Sequence, residues 1–126
     1  MLDKLGIKSG HVVACDEEAW PLDDELRQKL LARAGHLSAT SEGLINVVLA
    51  TADETTDAAV MLAKWKTRLH PAGGIWLLTP KRGRPGYVNQ NDLIPAGQIT
   101  GLVDNKVCSV SETVSAMRFV IRKEHR

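Results

Sequence analysis

The sequence predicts an α/β fold, a small three-layer sandwich whose mostly parallel sheet ends in a C-terminal antiparallel hairpin. Three observations carry this. Ile75, Trp76, Leu77 and Leu78 form an unbroken apolar run, the mark of a strand covered on both faces. Two amphipathic stretches, 21–34 and 58–69, alternate with short apolar runs, as helices and strands alternate in β-α-β units. Near the end, Met117, Phe119 and Ile121 alternate with Arg118, Val120 and Arg122, the pattern of a half-buried antiparallel strand.

Taken in order, residues 1–10 form a short lead-in, with Leu2, Leu5 and Ile7 able to pack on the domain and Gly6 and Gly10 as punctuation. Residues 11–15 (HVVAC) read as a first strand, with Asp16, Glu17 and Glu18 directly at its carboxyl end. Such acids can hold a ribose hydroxyl, but they also suit the positive start of a helix, which is the favoured reading. Pro21 opens the first expected helix, with Leu22, Leu26 and Leu30 as its stripe and Gly35 as its stop. His36 reads as a local cap, and 37–43 as a small polar connection. Residues 44–50 (LINVVLA) are the second strand, and Thr51, Asp53, Thr55 and Thr56 offer caps for the second helix. In 58–69, Ala58, Met61, Leu62, Trp65 and Leu69 share one face, which makes Trp65 a core residue rather than a stacking platform.

His70 reads as a cap on that helix, and Pro71, Gly73 and Gly74 as the break before a strand over 74–79. Pro80 cannot donate to a ladder and ends it. A short helix is expected over 91–100, capped by Asn91 or Asp92 and limited by Pro95. Residues 102–110 and 116–122 form the hairpin, with 111–115 between them and the KEHR tail beyond.

Length and composition bound the function. A chain of 126 residues is one domain, 1–126, able to bury a core without disulfide or metal staples. Sixteen cations against fifteen anions give +1, and aromatics are 4% of residues, so a nucleic-acid binder would need a local patch. No apolar run approaches a membrane span, and the first residues have no apolar signal core. Cys15 and Cys108 have no metal-ligand spacing and read as small core residues. The expectation is a cytoplasmic protein with no membrane partner and an open oligomeric state.

The candidate site lies just past the 74–79 strand. Open α/β sheets bind ligands beyond the carboxyl ends of their strands. Thr79 stands at that end, with Lys81, Arg82, Gly83 and Arg84 after it. Glycine lets backbone N–H groups approach an anion, and the cations balance its charge. Asp104, Asn105 and Lys106 are candidates to lie alongside.

The opening LGIKSGHVV and the stretch RLHPAGGIWLLTP are similar to the lead-in to the first strand, and to a later helix-turn-strand, of class I S-adenosylmethionine-dependent methyltransferases. The terminal strand pair resembles their C-terminal hairpin. More closely, the opening LGIK-x-G, the centre GG-x-IWLLTPK-x-GRPG and the ending GLVDNKVCSVSET resemble a bacterial family of small proteins classed as a domain of unknown function. These motifs cover about a third of the chain and bracket it. The resemblance implies a Rossmann-like fold and supplies no activity.

Three functions from different classes are open to such a chain. The favoured one is a non-catalytic module binding a small anion or a protein partner through the basic loop. A degenerate or active methyltransferase using S-adenosylmethionine is the alternative, but no glycine occurs between His11 and Ala34, where that cofactor needs close backbone approach. Nucleic-acid binding through the basic loop with Arg118, Arg122, Lys123 and Arg126 is the third, opposed by the charge balance.

Overall fold

A computed structural model describes residues 5–7, 11–34 and 44–122. Leu2, Gly10, Gly35, His36, the 37–43 connection and the tail 123–126 lie outside the described residues. The elements are β1 (Val13–Asp16), α1 (Asp24–Ala34), β2 (Ile45–Thr51), α2 (Ala58–Lys66), β3 (Leu69–Pro80), α3 (Ile94–Ile99), β4 (Leu102–Ser109) and β5 (Val114–Ile121), with a 3-10 turn at Gln90–Asp92 before α3.

The five strands form one sheet in the order β1-β2-β3-β5-β4. The β1–β2 and β2–β3 ladders are parallel; the β3–β5 and β4–β5 ladders are antiparallel. Only β5 runs against the other four, because a tight hairpin folds it back between β3 and β4. The expected parallel majority therefore holds for strand direction, while the ladders divide evenly. Both faces are covered, as the Ile75–Leu78 run requires. On one face Val48, Ile75, Leu77, Met117 and Phe119 pack against Met61, Leu62 and Trp65 of α2 and Leu93 and Ala96 around α3. On the other, Val47, Leu49, Trp76, Leu78 and Ala116 pack under Leu5, Ile7, Leu22 and Leu26. The period-2 alternation of strands thus divides one sheet between two cores.

Several boundaries differ from expectation, each for a local reason. Helix α1 begins at Asp24 rather than Pro21. Leu22 N–H donates to Glu17 Oε1 at 2.8 Å, and Asp23 takes the cap by accepting from Glu25 N–H at 2.8 Å. Helix α2 stops at Lys66, and its cap is Asp57, whose carboxylate accepts from Val60 N–H at 3.2 Å. Asp53, expected as a cap, instead binds Thr55 and Thr56 in the preceding turn.

Leu69 is already strand, paired with Ile45, and the ladder then jumps to Gly74 opposite Val47. Pro71 and Gly73 therefore lie inside a bulged β3 rather than in a break before it. His70 is no helix cap; its Nδ1 accepts from Ala72 N–H at 3.0 Å. Pro95 falls in the first turn of α3, where its missing N–H costs nothing, so it opens the helix rather than limiting it. The last strand is antiparallel as expected but not half-buried, since β5 lies between two neighbours and buries both Phe119 and Val120. Among the described residues no helix is long and apolar enough to cross a membrane.

Candidate functional site

Three parallel strands end together at Asp16, Thr51 and Pro80, and this carboxyl edge is where ligands collect in open sheets. At the end of β1 a pocket of about 280 Å³ opens, lined by Asp16, Glu18, Thr56, Met61 and Lys64, but its buried acid is already engaged by the chain. The side chain of Asp16 is only 3% exposed. It accepts from Trp65 Nε1 at 2.8 Å and from Lys64 Nζ at 3.2 Å, both on α2, and from Glu18 N–H at 3.3 Å. Burial pushes its carboxyl up, but those hydrogen bonds and the Lys64 charge outweigh burial and hold it below the ordinary value. Trp20 lies over the end of β2: its backbone N–H reaches Thr51 Oγ1 at 3.3 Å and its indole N–H donates to Ala52 O at 3.0 Å. Neighbouring Glu17 is paired with Arg27. Burial, with Glu17 beside it, pushes the Cys15 thiol up to about 11, which favours the protonated thiol at neutral pH.

The end of β3 differs. Thr79 is buried, and its Oγ1 has no hydrogen-bond partner. Gln90 Nε2, on the 3-10 turn, is likewise buried and unpartnered. Both residues line one polar pocket of about 240 Å³, together with Lys81, Arg82, Tyr87 and Ser115. Arg82 lies over the Tyr87 ring, its guanidinium carbon 5.9 Å from the ring centre, a cation–π contact between two lining residues. Lys81 is anchored: its N–H donates to Thr113 O and its Nζ to Ser109 Oγ at 2.6 Å. Gly83 adopts φ +86 in the exposed turn, a conformation that favours glycine.

The structure gathers Thr79, Lys81 and Arg82 as the sequence suggests and adds Tyr87, Gln90 and Ser115, which sequence reasoning passed over. Polar residues in a loop carry no periodicity, and only packing reveals that the Gln90 amide nitrogen is buried. The other expected members go elsewhere. Arg84 faces a groove on the α1 side, lined by Trp20, Leu26, Pro85 and Val110. Asp104, Asn105 and Lys106 do not lie alongside the loop. They sit on β4 opposite Phe119 and Arg118, five to three residues back from Ser109, or about 10–17 Å along the strand. The antiparallel hairpin carries them toward the other end of the sheet, which the linear sequence does not reveal. Among the described residues no cluster of His, Cys, Asp or Glu is arranged to hold a metal ion.

The fold has solved counterparts. A SAM-dependent methyltransferase from Aquifex aeolicus superposes with a TM-score of 0.65 at 10% identity, covering 96% of this chain and 87% of that one. The precorrin-6y C5,15-methyltransferase from Geobacter metallireducens gives 0.61 at 12% identity, covering 96% and 85%. An O-methyltransferase of neocarzinostatin biosynthesis gives 0.66 at 11% identity, covering 95% of this chain but 51% of that one. At such identities the likeness shows a Rossmann-like, methyltransferase-like fold and nothing of the chemistry. No curated protein matches the sequence. The family match is by contrast nearly end to end, over residues 2–123, and the chain belongs to the family described as protein of unknown function DUF3052.

Proposed function

We propose that this chain is a non-catalytic Rossmann-like module that binds a small oxyanion in the pocket at the end of β3. The observation that carries this reading is that Thr79 and Gln90, the residues with the orphaned buried donors Oγ1 and Nε2, line one pocket with Lys81 and Arg82. A buried polar group left unsatisfied costs about 1–3 kcal/mol. A hydroxyl and an amide NH2 can both donate, so an acceptor-rich ligand relieves both costs. At about 30 Å³ per water, 240 Å³ suits a phosphate-sized anion with a few waters.

S-adenosylmethionine does not fit the residues at the end of β1. The turn from Asp16 to Trp20 holds no glycine, the Asp16 carboxylate is already engaged by Trp65 and Lys64, and Trp20 covers the end of β2. β1 is also the outer strand of the described sheet, so among the described residues no further strand lies beside it to carry a ribose-binding acid. These features support binding rather than methyl transfer.

Thermal unfolding with inorganic phosphate, pyrophosphate and S-adenosylmethionine tests the reading. A ligand at a hundred times its Kd stabilises by about 2.7 kcal/mol. Phosphate or pyrophosphate is expected to raise Tm, and the methyl donor to leave it unchanged. Thr79→Val removes an orphaned hydroxyl at nearly constant shape, so it is expected to keep or raise the ligand-free Tm while abolishing the phosphate response. A phosphate response that survives in both Thr79→Val and Arg82→Glu sinks this site, and a shift with S-adenosylmethionine alone favours the methyltransferase reading.

A further inference from the structure

We infer that the ligand of the pocket at the end of β3 is a phosphate ester carrying an ammonium group, with the ammonium held in an adjoining acidic cleft; this rests on the oxyanion reading above. The cleft, of about 590 Å³, lies between the carboxyl end of β2, the start of α2 and the turn before α3. Tyr87, Val88 and Asn89 line both the cleft and the 240 Å³ pocket, so one short segment borders the two.

The two spaces are opposite in charge. Lys81 and Arg82 line the first, with no carboxylate among its described lining residues. Asp53, Glu54, Asp57 and Asp92 line the second, with no Lys, Arg or His among its described lining residues. Asp53 accepts from Thr55 and Thr56, and Asp57 accepts from Val60 N–H; these bonds orient the two carboxylates without neutralising them. Among the described residues Glu54 and Asp92 form no ion pair. Like charges gathered in one cleft repel, and a cation among them reverses the sign of the interaction. The start of α2 opposes a cation with roughly half a unit charge, which four carboxylates outweigh.

The kind of cation follows from the donor set. Among the described residues no group of acids is arranged to hold a metal ion, which favours an organic cation. An ammonium offers three N–H donors to side chains that can only accept. Leu93, Ala96 and Ile99 give the cleft an apolar wall, and Ile99 is 78% exposed, so a short carbon chain has surface to cover. Acids alone would form no more than a solvated rim. Beside them, however, is buried Thr79, whose Oγ1 has no partner and gives the ligand a fixed anionic end.

The test is an NMR titration following the backbone N–H of Tyr87. The ligands are inorganic phosphate, 3-aminopropyl and 5-aminopentyl phosphate, and butyl and hexyl phosphate, in which a methyl replaces each ammonium. At least one aminoalkyl phosphate is expected to bind at least about threefold tighter than its methyl twin, the upper range of an exposed ion pair. Glu54→Gln/Asp92→Asn changes only exposed side chains, so its ligand-free Tm is expected to match the parent. In that variant the ratio should fall toward one, while affinity for inorganic phosphate stays at or above the parent's. If phosphate binds but neither aminoalkyl phosphate exceeds its twin, this inference is overturned and the oxyanion reading stands. An unchanged ratio in the double variant also overturns it, because the advantage then comes from other groups. No saturable shift with any of the five ligands overturns the oxyanion reading and this inference together.

Discussion

Asp16 illustrates how a residue with a ready functional reading can be spent on structure. From sequence, an acid at the end of a first strand reads as a ribose ligand or as helix electrostatics. The fold gives it a third role, because Trp65 and Lys64 arrive from α2, 49 and 48 residues away. No local pattern encodes such a pairing. Its carboxyl is held below the ordinary 3.8, so the unfolded chain binds the proton more readily than the folded one. Its stabilising contribution is complete above that ordinary value and is lost as pH falls through the lower folded value. Urea unfolding below about pH 4 is expected to show a shallower loss of stability in Asp16→Asn than in the parent; equal slopes would exclude the linkage. Asp16→Ala, which also strands the buried Trp65 N–H, is expected to cost about 2–3 kcal/mol at neutral pH. The candidate anion pocket was half legible by the same logic. Lys81 and Arg82 announce themselves by charge and position, whereas Gln90 is recognised only once its amide is found buried without a partner.

At the scale of elements, apolar runs were the reliable signal and glycines the ambiguous one. The strands at 45–51 and 75–78 and the α2 face appear where period and composition put them. Gly73 and Gly74 look like punctuation, yet they sit within a continuous strand, because close approach and chain breaking require the same residue. Gly97 is the clearer case. A Cβ on it would lie 2.6 Å from Phe119 Cε1, so α3 packs on the sheet through the missing side chain. Alanine gains about 1 kcal/mol of helix propensity over glycine, but overpacking a filled core costs about 1–3 kcal/mol. Gly97→Ala is therefore expected to lower the urea midpoint. Phe119→Leu in that background should cost less than it does alone, and simple additivity would show that the two residues do not press on each other.

For the whole molecule, the order β1-β2-β3-β5-β4 leaves two outer strands, and β4 is the longer and more exposed. Sequence could suggest a hairpin near the end but not which of its strands faces solvent, since that depends on which one β3 selects as partner. The exposed edge is guarded. The β4 register slips between Asp104 and Lys106, leaving Asn105 as an extra residue, and Lys106 stands next to Val107, itself 53% exposed. Bulges and lysines are the usual defences of an unpaired strand. Lys106→Val is expected to elute larger than the parent on size exclusion at equal concentration, increasingly so as concentration rises. Unchanged elution across that range would assign edge protection to the bulge alone.

The reversed strand also sets a timetable. β5 is the last strand in chain order, yet it fills the slot between β3 and β4. As the polypeptide emerges, β3 has one flank zipped to β2 while the other, carrying Trp76 to Leu78, waits for residues 114–121. At about 5–20 residues per second, that wait lasts about 2–8 s. Throughout it, the buried Ile75–Leu78 run of β3 has one flank of backbone unpaired. A chain cut short before residue 114 leaves that flank of β3 without its partner strand.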